Sequence, residues 1–434
     1  MGTVHARVAH KYCFNEDEGG LFDFDDNPDL DDEEPPPAVN TNISLNSVKA
    51  RVDRVHVDGL YRTKDDVIRN TVGDLFKATD FEDVIVRAHK ARQELDSLGC
   101  FGHVCVFIDV SSGPDATPDG LEVTFQVREL SRVAGGVNAA VTDDEGSIVL
   151  GVKLPNVFGR GERAAAAYSL GLRNTSNFNL SCTKPMPLKP YTPVLSASLY
   201  QQNREYPWSG YRLLDRGLLL DVAFKTSPTT KHTIQWEGLV REMTVLNKTS
   251  FKIRESSGPH LKSMVRHVIS MDHRDEAVFP TRGTWVQVST EVAGLGGGVA
   301  NVKTELHAQA NHRLHDDVVL QATGALGVLH DVFGTELPDH FFLGGPTSVR
   351  GFQQRGVGPH NDGQALGGRV YWASGVHLYA PLPVPGARSG LGALFRSHLF
   401  LNAGALALPG QTPTLRIRRG TYSHAHTLLT HTYT

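Results

Sequence analysis

Phe341-Phe342-Leu343-Gly344-Gly345-Pro346-Thr347-Ser348-Val349-Arg350-Gly351-Phe352 carries one fixed-charge arginine between an apolar lead-in and an aromatic exit. Gly344, Gly345 and Gly351 permit positive φ and close backbone approach, and Pro346 stiffens the turn. Arg350 can therefore be held in one place within a long connection. Taken alone, the stretch reads as well as a surface turn as it does as a functional loop. Its surroundings favour a functional loop, because short alternating strands run before and after it for most of the chain.

After Leu130 the helical period disappears. Segments 147–154, 194–201, 213–224, 232–241, 261–271, 283–293, 299–312, 318–329, 366–380 and 397–404 read as strands, separated by turn signals such as Pro155-Asn156 and Gly294-Leu295-Gly296-Gly297. Val286, Val288, Thr290 and Val292 alternate with Gln287, Ser289 and Glu291, and Ile234, Trp236 and Val240 oppose Gln235, Glu237 and Arg241. A soluble sandwich of this size needs two large sheets and a great deal of Val, Ile and Leu inside. Here a polar face persists on strand after strand, which favours a closed antiparallel transmembrane barrel with a wet lumen. Hydrophobic residues make up 40% of the 434, as alternation would give, and no apolar run is long enough for a spanning helix. Trp236, Trp285, Trp372, Tyr371 and Tyr379 are candidates for an aromatic girdle.

Residues 46–130 read as a small α+β module. Val52, Val55 and Val57 form a strand that ends at Asp58-Gly59, and Thr63-Lys64-Asp65-Asp66 resembles a capping box opening a helix. Val84, Ala88, Ala91, Leu95 and Leu98 mark a second helix that Gly99 stops, and strands around Val104 and Val123 close the unit. Ahead of it, residues 1–45 hold an acidic run between Glu16 and Glu34 followed by Pro35-Pro36-Pro37, the composition of a disordered tail and the opposite of an arginine-rich presequence. The net charge of −4 provides no general attraction to nucleic acid. Four cysteines fit no zinc module, and no P-loop, Gly-x-Ser-x-Gly elbow or His-Glu-x-x-His helix is present, so an enzyme is not expected.

Together the module, whose element order is that of a POTRA domain, the many strands and Val349-Arg350-Gly351-Phe352 resemble the outer-membrane barrel insertase superfamily, whose bacterial member is BamA. The resemblance is greatest to its eukaryotic branch, the core subunits of the mitochondrial sorting and assembly machinery, and covers about residues 48–405, including Tyr371-Trp372, His377-Leu378-Tyr379 and Pro381-Leu382-Pro383. It implies an all-β barrel with an N-terminal POTRA domain, sited in the mitochondrial outer membrane. It also implies insertion of unfolded β-barrel precursors at a lateral seam, beside further subunits of the assembly complex and in contact with lipid, with no cofactor, nucleotide or metal. A passive pore for polypeptides or solutes is the alternative within the same superfamily.

In that superfamily the long loop folds back into the lumen and its arginine meets a polar or acidic site on the wall. The resemblance thus assigns Gly344, Gly345, Pro346, Val349, Arg350, Gly351 and Phe352 to the lumen loop. Its Phe-x-Asp-x-Gly wall motif maps onto Phe400-Leu401-Asn402-Ala403-Gly404, which places Asn402 and Gly404 at the docking wall. Asn402 stands where the acid is expected, so another carboxylate such as Glu291 or Glu305 has to supply the charge. The barrel is expected over 131–408, with roughly fourteen strands against about sixteen for the superfamily. Residues 409–434, rich in His, Thr and Arg, lack alternation and are expected to be a disordered, atypical tail.

Overall fold

The computed structural model describes residues 48–114, 116–141, 146–172, 175–186, 188, 191–315, 317–382, 395–408 and 416–425. The expected acidic tail, 1–45, lies outside the described residues. The chain divides into two compact units, Met1–Arg132 with Pro155–Glu162, and Val133–Leu154 with Arg163–Thr434.

In the first unit, β1 (Arg51–Asp58) is followed by α1 (Asp65–Val72), α2 (Phe81–Ser97), β2 (Phe101–Val110) and β3 (Gly120–Glu129). The sheet order is β1-β3-β2, with β1 parallel and β2 antiparallel to β3. Alternate residues of the central strand, Val123, Phe125 and Val127, meet Val84, Ala88, Ala91 and Leu95 of α2 in one apolar core, as a period of two against one near 3.6 requires. The expected capping box is absent. Lys64 is the N-cap residue of α1 and makes no side-chain cap bond. The Thr63 hydroxyl donates instead to Glu129 Oε1 at 2.7 Å and accepts from Asn156 Nδ2 at 2.8 Å.

The second unit is built on one fourteen-stranded sheet among the described residues. Its strands are β4 (Ala134–Val141), β5 (Gly146–Pro155), β6 (Arg163–Gly171), β7 (Ser176–Pro185), β8 (Val194–Tyr206), β9 (Tyr211–Lys225) and β10 (Thr230–Val245). They continue with β11 (Gly258–Asp272), β12 (Gly283–Gly297), β13 (Ala300–His315) and β14 (Val318–Phe333). A long loop containing the two-residue strands β15 (His360–Asn361) and β16 (Gln364–Ala365) leads to β17 (Val370–Pro381), β18 (Phe395–Ala407) and β19 (Arg416–Ala425). Apart from β15 and β16, which pair only with each other, each strand neighbours the next in order.

Two expectations change here. The 409–434 segment is not wholly without structure, because Arg416–Ala425 pairs antiparallel with β18 from Gly404↔Arg416 to Phe395↔Ala425. A ladder is a main-chain interaction, so the backbone N–H and C=O groups along β18 pair with a segment whose sequence does not alternate. Tyr371 and Tyr379 do not join a girdle. They share the parity of Gly375 and His377 on β17, and Tyr371 packs on Phe341 at 4.7 Å between ring centroids.

The sheet is inverted relative to a soluble one. Along β17 and β18, Val376, Leu399 and Leu401 are 47–50% exposed, while the intervening His398 and Asn402 are 1% and 2% exposed. Ile234, Trp236, Leu218, Leu220 and Val292 are likewise exposed, whereas Lys262, Glu291 and Asn301 are buried. Surface apolar patches on this scale mark contact with lipid or protein, and a polar buried face beneath an apolar outer one is the pattern of a membrane barrel.

Candidate functional site

The loop between Phe333 and Val370 packs on the buried, polar face of the sheet. Its root is a short 3₁₀ turn, Leu337–Asp339. Asp339 accepts from Lys262 Nζ at 2.8 Å and from Arg241 Nη1 at 3.2 Å. Lys262 also reaches Glu291 at 2.8 Å, Glu291 binds Arg266 at 2.7 Å, and Arg241 binds Asp215 at 3.0 Å. Burial alone would raise the Asp339 pKa, but Lys262 and Arg241 hold it below the usual carboxylate range. Glu336 behaves oppositely: burial, then the Asp339 charge, push its carboxyl up to about 7, and it contacts His260 Nδ1.

Beyond the root the backbone forms a closed lobe. Phe341 and Gly368 exchange both backbone hydrogen bonds, and Val357 N donates to the Leu343 carbonyl at 3.0 Å. At Gly344, φ is +111°, and a Cβ would stand 2.7 Å from the Gln353 carbonyl oxygen, so only glycine fits. Gly345, Pro346, Thr347 and Ser348 form the tip, tied by Ser348 N to the Gly345 carbonyl and by Gly344 N to Ser348 Oγ. Gly351 also has positive φ, at +85°. Val349 is fully buried beside Leu343, Val357, Leu329, Tyr371 and Leu406, with Phe352 packed against the same cluster.

The structure brings loop and wall together at Gly404. A Cβ there would lie 3.0 Å from both Val349 Cγ2 and Leu343 Cδ2. Arg350 follows directly, half-buried, its charge within reach of His377 and Tyr379. Asn402 is opposite Gly375 in the ladder, and its Oδ1, His377 Nε2 and Thr323 Oγ1 converge above that glycine. His377 Nδ1 and His398 Nε2 are 3.0 Å apart, and Tyr379 stacks on His398 at 4.4 Å. The Asn402 Nδ2 group has no hydrogen-bond partner among the described residues.

The wall beside Arg350 is therefore an imidazole–amide–hydroxyl patch. Glu291 serves Lys262 and Arg266, and Glu305 serves Lys303 and His307. The sequence gives His377 no role beyond its place in the His377-Leu378-Tyr379 stretch of the resemblance and does not single out His398, although His398 shares the parity of Asn402 and Gly404. Among the described residues no cluster of His, Cys, Asp and Glu is disposed to hold a metal.

Comparison with known proteins gives consistent results. Residues 156–421 match the Omp85 superfamily domain. The chain is 43% identical over 410 residues to sorting and assembly machinery component 50 homolog B of Xenopus laevis, covering 94% of this chain and 86% of that protein. The Homo sapiens homolog is 41% identical, with 96% and 89% covered. Among solved structures, BamA from Haemophilus ducreyi lacking POTRA domains 1-3 superposes with a TM-score of 0.67 at 14% identity, covering 87% of this chain and 81% of that one, which supports the β-barrel fold.

Proposed function

Because this chain belongs to the Omp85 superfamily, beside the sorting and assembly machinery component 50 homologs, we propose that it inserts β-barrel precursors into the mitochondrial outer membrane. The N-terminal unit acts as a POTRA domain in this reading, and unfolded barrel precursors, further subunits of a sorting and assembly complex and lipid are the partners. No cofactor is required, since burial of the client's apolar face and satisfaction of its backbone in lipid supply the free energy.

The observation that carries the reading is the inverted sheet with the Arg350 lobe seated on its polar face at Gly404. Insertion proceeds at a seam between β4 and β19. Each is terminal in the strand order, with one neighbour among the described residues, and a strand edge in hydrocarbon templates the terminal strand of a client. The lobe, through Arg350 and the Asn402 patch, steadies the wall against which that pairing occurs.

The test is folding of a barrel precursor into liposomes containing the full chain. Accelerated insertion supports the proposal, whereas conductance without acceleration would identify a passive pore. Arg350→Ala should lower the insertion rate while the protein itself still resists carbonate extraction. An unchanged rate would remove the lobe from the mechanism.

A further inference from the structure

The lobe carries a second arginine, which no family motif singled out. Arg355 stands at its base in the left-handed region, with φ +57°. Its guanidinium carbon lies 3.8 Å from the ring centroid of Phe342, 4.0 Å from that of Tyr206 and 5.7 Å from that of Tyr211. Nη1 donates to Ser209 Oγ and to the Tyr211 hydroxyl, both at 2.9 Å. Tyr211 and Ser209 are 1% and 0% exposed, so the cage is a built site in the turn between β8 and β9. Among the described residues no carboxylate takes part. Stacking on ring faces together with donation to two hydroxyls is chemistry that a planar guanidinium performs and an ammonium performs poorly.

We infer that Arg355 is a positioning residue: it latches the lobe to the β8–β9 turn, and the placement of Arg350 at the wall depends on that latch. The backbone provides the link. Arg355 N donates to the Gly344 carbonyl at 3.2 Å, and the Leu343–Val357 bridge closes residues 344–356 into one lobe. Among the described residues that lobe meets the sheet around Gly404, through Val349 and Phe352, and again through Arg355 in its cage. With only the first contact it can pivot; with both, the direction of Arg350 is fixed. Gln364 repeats the attachment just beyond, accepting from Ser250 N at 2.9 Å.

The latch itself stands on geometry alone, and its consequence for insertion rests on the proposed function. Hydrogen exchange of residues 344–356 is measured by mass spectrometry on the full chain in liposomes, in parallel with precursor insertion. Arg355→Leu should raise exchange in the lobe about tenfold, the loss expected when a desolvated cation–π and charge-assisted contact is removed. Arg355→Lys should recover part of this. Insertion by Arg355→Leu should fall as it does in Arg350→Ala, and the double variant should be no worse than Arg350→Ala alone, since Arg355 acts through Arg350. If Arg355→Leu fails to fold, Tyr211→Phe combined with Ser209→Ala removes the acceptors, keeps the rings, and should still raise exchange severalfold. Unchanged exchange in the folded variant overturns the latch. Raised exchange with normal insertion supports the latch and removes the lobe from the insertion reaction.

Discussion

Asp339 shows how little of this loop's anchoring is local. Its partners Arg241 and Lys262 are 98 and 77 residues away in sequence, and Arg355 reaches Ser209 across 146. No window of sequence pairs such groups. Asn402 and Gly404 entered through the resemblance, whose Phe-x-Asp-x-Gly motif maps onto Phe400–Gly404, and the structure sets Gly404 against Val349. Asp339→Asn should cost about 3 kcal/mol of loop docking, since it leaves Lys262 and Arg241 buried with one partner each; increased hydrogen exchange over 334–343 is the measurement. Glu336 adds a pH dependence of defined sign. Its carboxyl is raised from 4.5 to about 7 in the docked loop, so the docked state binds the extra proton. Docking is therefore strongest below about pH 4.5 and weakens as pH rises through about 7. Asp339, lowered from 3.8, acts only in stronger acid. Glu336→Gln should flatten the profile between those limits, as read by loop exchange at pH 5 and pH 8.

At the scale of elements, the helices and strands of the N-terminal unit were legible because each buries a clean periodic face. The cap was not, because Thr63 was claimed by Glu129 from the end of β3. That carboxylate accepts from Thr63 N at 2.9 Å and Arg62 N at 3.1 Å, besides the Thr63 hydroxyl. Burial would raise its pKa, but hydrogen bonds from Thr63, Arg62 and Tyr61 keep it below the ordinary value of 4.5. The stability it contributes is present above pH 4.5 and is lost as pH falls through the lowered value. Residues 48–132 expressed alone should give a dispersed amide spectrum. In that fragment Leu95→Ala should cost about 3 kcal/mol, the price of a cavity at a fully buried position, by urea denaturation. Strand β6 is the opposite lesson. Ala164-Ala165-Ala166-Ala167 favours helix in isolation, yet it pairs with β7 from Arg163↔Thr183 to Leu170↔Ser176 because the adjoining strand edge requires a partner.

For the molecule as a whole, the inverted burial pattern carries a direct test. Leu399 and Leu401 face outward at 50% exposure, so Leu401→Arg should destabilise the folded protein by about 2–4 kcal/mol if that position lies near the bilayer midplane. Folding yield into liposomes across a urea series would show it. Length and alternation over 131–408 suggest roughly fourteen strands, but among the described residues the fourteen-stranded sheet reaches that number only with Arg416–Ala425, which lies beyond that span and is held through its backbone. Strand β18 consequently serves two customers at once. Its inner face seats Val349 at Gly404, and its far edge bonds β19 over the same residues. If a guest strand engages the free edge of β19, as proposed for the seam, any strain passed on to β18 reaches the backbone under the lobe, and by thermodynamic reciprocity a seated lobe then biases that edge in turn. Such a strand behaves as a lever, by which events at the rim of the sheet and the posture of the lobe report on each other.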